Sequence, residues 1–285
     1  MKAFDITDPQ VIRAIAAIDS GNTTELKDLI CQYPRLASDR LHNHEEGYFK
    51  DPFLLWFVAD NPIRTGKLPG NIMEITRELI DAVNSNAPYT YQYQIDCTLG
   101  LVASGRIPRE CGVQLEMIDL LLDAGASPGS AMTALTNGNL EAAQHLVNRG
   151  AKLTLAVAVC LEHNGDIADL AAMASANEKT TALAAAAFYG KAEMIERLLE
   201  MKIDPNGFPD ADSGFHSHAT ALHQAVSSGS LACVKLLVET GAKPDVRDKL
   251  FDGTPLDWAN YLLRDAADEK LKKNFSLIED YLGSL

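Results

Sequence analysis

Cations are scarce in this chain. Of its 285 residues, 25 are Lys or Arg against 39 Asp or Glu, a formal net charge of −14 at pH 7 with histidine neutral. Such a balance repels phosphate backbones and anionic headgroups, and no local stripe of Lys and Arg offsets it. Neither nucleic acid nor a membrane surface is therefore expected as a partner. The plain consequence of the acidity is solubility, and a dedicated basic partner is the sharper one. Long apolar runs are missing too. None approaches the roughly 18 residues that span a bilayer, and the opening MKAFDITDPQ has no apolar core of a secretory signal, so a cytoplasmic protein is expected. Cysteines are few and unpaired in pattern: Cys31, Cys97, Cys111, Cys160 and Cys233 are odd in number, far apart and never CxxC. That speaks against a disulfide framework and a zinc site, and predicts reduced, mostly buried thiols. A phosphate-cradling glycine loop, the HExxH spacing and any recognised Cys–His spacing are also lacking, so no cofactor is expected.

What the chain has instead is one unit repeated. The stretch ATALHQAVSSGSLACVKLLVETGAKPDV, residues 219–246, reads as helix, turn and helix. Thr220 is placed to cap a first helix with Leu222, Ala225 and Val226 on its apolar face, and Gly229 supplies a positive φ to end it. Val234, Leu236, Leu237 and Val238 mark the buried side of a second helix closed by Gly241, and Pro244 forbids continuation. The same order returns in residues 181–206 and 131–153, with inter-helix glycines at Gly190 and Gly138. Helices of about seven to ten residues are marginal alone in water, so each unit must bury its face against the next copy.

Thr220, Leu222, His223, Ala225, Gly229, Leu236, Leu237, Gly241 and Ala242 follow the order GxTPLHxAAxxG, a helix ending LL, then GAxxN. In this the chain resembles the ankyrin repeat proteins, and its irregularity resembles the ankyrin proteins found in bacteria. Thr181, Leu183, Ala186, Ala187, Gly190, Leu198 and Leu199 match in a neighbouring unit, and Gly253, Thr254, Pro255, Leu256 and Ala259 open a last one. Fidelity declines toward the N-terminus. The resemblance implies an all-α, ankyrin-type α-solenoid of about eight helix pairs with irregular β-hairpin loops. As one array its repeats run 8–37, 50–95, 96–128, 129–153, 154–178, 179–218 and 219–251, with a C-terminal cap at 252–285 around Trp258, Tyr261, Leu262 and Leu277.

Spacing adds a further expectation. Equivalent glycines lie 33 residues apart from Gly105 to Gly138, then 27 to Gly165, 25 to Gly190 and 39 to Gly229. A helix pair uses about 22 to 24 residues, so the short repeats leave no room for a projecting hairpin and the long one has a surplus. The second helix of the fifth repeat reads ADLAAMASA, with Ala171, Ala172 and Ala174 where neighbours carry leucine, so the joint at 166–180 is expected to be the weakest.

The resemblance implies a non-enzymatic protein-binding module, an adaptor or inhibitor, monomeric, reading its partner through a groove of first helices and a rim of hairpins. Carried onto this chain, the groove positions are Thr136, Asn137, His163, Asn164, Phe188, Tyr189, Gln224, Ser227 and Ser228. Phe188 is either an exposed anchor or a filler beside small alanines. An immunity-type protein neutralising a toxin is an alternative form of the same role.

Three insertions break the rhythm. Tyr89, Tyr91 and Tyr93 alternate at period two, which predicts a strand with one aromatic face, either a contact finger or a packed edge. The segment 206–223 carries Asp210, Asp212, Phe215, His216, His218 and His223. Phe215, His216 and His218 are rim candidates, and the His216/His218 cluster is the one place where a metal-dependent hydrolase has ligands to use. His42, His44, Glu45 and Glu46 form a second histidine–carboxylate cluster. Gly125, Ala126, Ser127, Pro128 and Gly129 satisfy GxSxG by letter, but they follow a helix rather than a strand, so no nucleophile is expected there.

Overall fold

The computed structural model describes residues 6–42 and 47–285. His44, Glu45 and Glu46 therefore lie outside the described residues. In chain order the helices are α1 (Pro9–Ser20), α2 (Thr23–Gln32), α3 (Arg35–Ser38), a 3-10 helix (Leu54–Ala59), α4 (Ile72–Asn86), α5 (Tyr91–Ser104), α6 (Arg106–Glu110), α7 (Gln114–Asp123), α8 (Met132–Thr136) and α9 (Leu140–Asn148). They continue with α10 (Leu155–Cys160), α11 (Ile167–Met173), α12 (Ala176–Phe188), α13 (Ala192–Glu200), a 3-10 turn (Ala211–Ser213), α14 (Ala221–Ser227), α15 (Leu231–Glu239), α16 (Pro255–Asp265) and α17 (Glu269–Gly283). The chain is all-α: no β-strand occurs among the described residues, so the expected hairpins are turns and coil. None of these helices is long and apolar enough to cross a membrane.

Two compact units divide the chain, residues 1–129 with 141–151, and residues 130–140 with 152–285. In the first, Asp8 caps α1 by accepting from Gln10 N at 2.9 Å, Pro9 occupies the first turn, and Gly21 at φ 76° ends the helix. The helix opening the second repeat is replaced by the 3-10 segment LLWFVA, all six residues of which are buried. It packs against α1, α3, α4 and α5. The tyrosine stretch corrects the strand expectation: Tyr91 and Tyr93 open α5, because Gln94, Ile95, Thr98, Leu99 and Val102 recur at helical spacing and are buried. That four-residue rhythm continues beyond the two-residue alternation and decides the backbone.

In the second unit an inner row forms by successive packing of α8 on α10, α10 on α12, α12 on α14 and α14 on α16, while α13 packs on α15 and α15 on α17 outside it. Thr181 to Ala187 of α12 are all buried. A helix flanked by neighbours on several sides tolerates small residues best, and the alanine run lets α10 and α14 approach it. Thr254 caps α16 with Pro255 in its first turn, and Phe275, Ile278 and Leu282 bury the face of α17, whereas Leu277 points outward.

Gly138, Gly190 and Gly229 hold φ of 71°, 63° and 68° between paired helices. Two of the aligned glycines do not play that part. The left-handed residue in the fifth repeat is Glu162 at φ 59°, three positions before Gly165, and α6 is inserted after Gly105, so Gly112 at φ 71° precedes α7. Letter alignment on glycine misplaced these turns because a non-glycine residue took the strained position in one and a short extra helix displaced it in the other.

Only Ala174 and Ser175 connect α11 to α12, so nothing projects at that joint. Helix α11 buries Ile167 and Ala171 alone, and Met173 is 77% exposed, whereas α13 buries Met194, Ile195 and Leu198 and α15 buries Cys233, Val234 and Leu237. Missing methylenes at about 0.8 kcal/mol each amount to more than a tenfold difference in local opening. Amide hydrogen exchange in 167–174 is expected to run at least tenfold faster than in 222–238. Equal protection would contradict it.

All five cysteines are free. The expectation of mostly buried thiols holds for Cys160 and Cys233 and fails for Cys31 and Cys111, which lie on exposed helix and turn positions. Burial pushes the Cys160 thiol up to about 12 despite nearby Lys191, so it is not a nucleophile at neutral pH.

Candidate functional site

A concavity of the second unit lies where successive inner helices begin. It encloses about 330 Å³ and is lined by Ser130 and Met132 before and in α8, Thr154, Leu155 and Ala156 at the start of α10, Ser175, Asn177, Glu178 and Thr181 at the start of α12, and Asp210, Asp212 and Ser213 of the following loop. Local sequence fixes each wall. Thr154 caps α10 by accepting from Val157 N at 3.3 Å. Ser175 and Glu178 form a reciprocal capping box on α12: Ser175 Oγ accepts from Glu178 N at 3.2 Å, and Glu178 Oε2 accepts from Ser175 N at 2.8 Å. Asp210 caps the 3-10 turn, and Asn177 Nδ2 donates to Asp210 Oδ2 at 2.8 Å, tying the loop to α12.

Three carboxylates and no cation line this cleft. The bonds from Ser175 hold the Glu178 carboxyl below its ordinary range, with Lys152 acting in the same direction. The Asp212 carboxylate is exposed and accepts no hydrogen bond among the described residues. Met132, Leu155 and Ala156 supply an apolar side. Such an arrangement can hold a cationic group with an apolar stem.

The sequence-derived positions fall elsewhere. Phe188, Tyr189, Phe215, His216 and His218 come together in one aromatic cluster: Phe188 meets Tyr189 edge-on at 5.0 Å, Phe215 at 5.8 Å and His216 at 5.1 Å, and His218 stands 5.9 Å from His216 and 6.0 Å from Trp258. Tyr189 donates its hydroxyl to Leu135 O at 2.6 Å, and Thr136 Oγ1 reaches Gly214 O at 2.5 Å. Phe215, read as a rim contact, is 4% exposed because the long loop folds it back onto Phe188. Gln224 is likewise a correction: at 2% exposure it lies inside the packing of α14. Ser227 and Ser228 are half-buried, with Ser228 Oγ donating to Ala225 O. Asn137 donates to Thr133 O, His163 faces Asp166, and Asn164 accepts from Arg197. In the first unit Tyr91 donates to Ala124 O, Tyr93 packs on Phe53 and Trp56, and Tyr89 is bare to solvent.

Among the described residues no three of His, Cys, Asp and Glu gather closely enough to hold a metal. Burial depresses the His216 pKa, and the charge of His218 adds to that; the ring packs against Phe188 and Phe215. His223 is buried and bridges two elements, Nδ1 to Thr220 Oγ1 at 2.8 Å and Nε2 to Gly253 O at 3.0 Å. Ser127, the serine of the GxSxG letters, sits in a turn with its N–H donating to Asp96.

Sequence reasoning passed over the cleft residues. Their signal was present in the capping letters: Thr154 before LAVAVC, and Ser175 followed three residues later by Glu178. Helix starts mark one end of each groove element, and the positions read from the sequence mark the other.

The family model of ankyrin repeats matches three copies over residues 110–248. No curated protein matches the chain. Among solved structures, the human ASB11 ankyrin repeat domain is 16% identical, covering 95% of this chain and 97% of its own, with a TM-score of 0.34. Repeat motif, paired helices and the family match agree over the same stretch, and residues 110–248 of the chain are ankyrin repeats.

Proposed function

We propose that this protein is a non-catalytic adaptor or inhibitor that binds a protein partner in the cleft at the N-terminal ends of α8, α10 and α12, and that it acts as a cytoplasmic monomer. Ankyrin repeats are generally protein–protein interaction modules. The observation that carries the reading here is the 330 Å³ cleft with both apolar and charged walls, within the size range of sites that enclose a ligand. Its walls are pre-organised by the Thr154 cap, the Ser175–Glu178 box and the Asn177–Asp210 bond, so little ordering opposes association.

A photo-crosslinking residue placed at Asp212 or Ala176, on the cleft rim, is expected to trap one and the same protein in the native cell. The same residue at Glu141 of the first unit traps none of it. Equal capture from all three positions, or none from the rim, would overturn the reading.

A further inference from the structure

We infer that the cleft is a receptor for one lysine or arginine side chain presented by an extended segment of the partner. This rests on the reading of the same cleft as a binding site and adds the chemistry of its occupant. Glu178, Asp210 and Asp212 line one side, Met132, Leu155 and Ala156 another, and no Lys, Arg or His is among the lining residues. A long basic side chain is the common protein group that offers an aliphatic stem and a cationic head together.

The opposing field is the helix N-termini, which favour anions. Two inner helices of the cleft, α10 and α12, contribute roughly half a positive charge each. One first-turn donor of each is already engaged, Val157 N by Thr154 and Glu178 N by Ser175. Three carboxylates outweigh that, and the cleft stays negative. An anionic or purely apolar occupant would leave Asp212, which has no hydrogen bond to satisfy it, facing a group it repels or one that strips its water. About 330 Å³ accommodates one long side chain and a few backbone atoms, so an extended segment fits where a folded surface does not.

The test is selection of a displayed random 12-residue peptide library on the full chain, followed by anisotropy with the synthetic winners. Three proteins are compared: the wild type, a Glu178→Gln, Asp212→Asn double variant, and Ser130→Trp, which fills the cleft from a half-buried position. Glutamine preserves the capping box, and circular dichroism checks each fold. Expected are peptides sharing one basic residue, whose change to norleucine weakens binding at least tenfold. Affinity falls at least fivefold in the double variant and with salt raised from 50 to 500 mM, and it is lost in Ser130→Trp. Winners that lack a basic residue yet fail to bind Ser130→Trp would overturn the charge assignment and leave the cleft as the binding site. Winners that bind Ser130→Trp unchanged, or a selection that returns none, would overturn both.

Discussion

Replacing Arg64 by alanine is expected to destabilise the first unit by about 3–5 kcal/mol, the cost of leaving a buried charge without its partner. The side chain of Arg64 is 9% exposed and that of Asp60 is fully enclosed, with Nη1 of Arg64 3.6 Å from Asp60 Oδ1. The guanidinium also donates to Asp19 at 2.5 Å and 3.3 Å and to Phe57 O at 2.8 Å, and it stacks 4.9 Å from the Phe57 ring. Asp60 in turn accepts from Arg64 N at 2.8 Å, Thr65 N at 3.3 Å and Gly66 N at 2.9 Å. One arginine thus joins α1, the 3-10 helix and the loop 60–66, where the second repeat has no regular first helix to pack.

Arg64→Lys is expected to recover little of the loss, since an ammonium cannot reach Asp19, Asp60 and a carbonyl in one plane. Asp60→Ala should cost a similar amount by orphaning three backbone donors as well as the guanidinium. The double variant should fall well short of the sum, because both changes dismantle one network. Urea unfolding with an unchanged slope measures the total, and hydrogen exchange at 54–66 locates it. Additive losses, or a loss below about 1 kcal/mol for Arg64→Ala, would show that the network is solvated and structurally idle.

Neither Asp60 nor Arg64 stood out in the sequence, and the reason is general. Helix pairs from 131 onward were legible because their burial pattern is local: Leu222, Ala225 and Val226 declare a face within seven residues. Asp19 and Arg64 are 45 positions apart, and an ion pair leaves no periodic mark. The tyrosines at 89, 91 and 93 misled for the opposite reason. Three residues of alternation form a local pattern too short to outvote the helical burial of Gln94 through Val102. For the candidate site the sequence pointed to inner-helix C-terminal ends, where Phe188 and Tyr189 are conspicuous, yet these aromatics are engaged with Phe215, His216 and Leu135. The open space lies at the other ends, among small polar residues whose letters signal only caps. A cleft is the shape left between elements, and no residue encodes it alone.

The second large effect is expected at Asp248, whose loss should cost about 3 kcal/mol and remove a pH dependence with it. Asp248 is 3% exposed. It accepts from Leu250 N at 2.9 Å, Phe251 N at 2.7 Å, Gly253 N at 2.9 Å and Trp258 Nε1 at 2.9 Å. Burial by itself raises its pKa, but the donors of Phe251, Trp258, Leu250 and Gly253 prevail and hold it at about 2, well below the ordinary carboxylate range. A carboxyl depressed in the folded state contributes stability above its unfolded pKa, and that stability is lost as pH falls toward the folded one. About 2 kcal/mol is therefore fully present at pH 5 and above and disappears between about pH 4 and pH 2. Asp248→Asn keeps the shape but turns one oxygen into an N–H facing donors, so it should be nearly as damaging as Asp248→Ala. The loop it organises carries Leu250 and Phe251 outward, 64% and 70% exposed, and presents Gly253 O to His223, so Trp258 and α14 should loosen together. Acid titration of Trp258 emission gives the readout: the wild type should lose stability steeply below pH 4, and Asp248→Ala should start lower and fall less. An acid limb of equal steepness in both proteins would move the titrating group elsewhere.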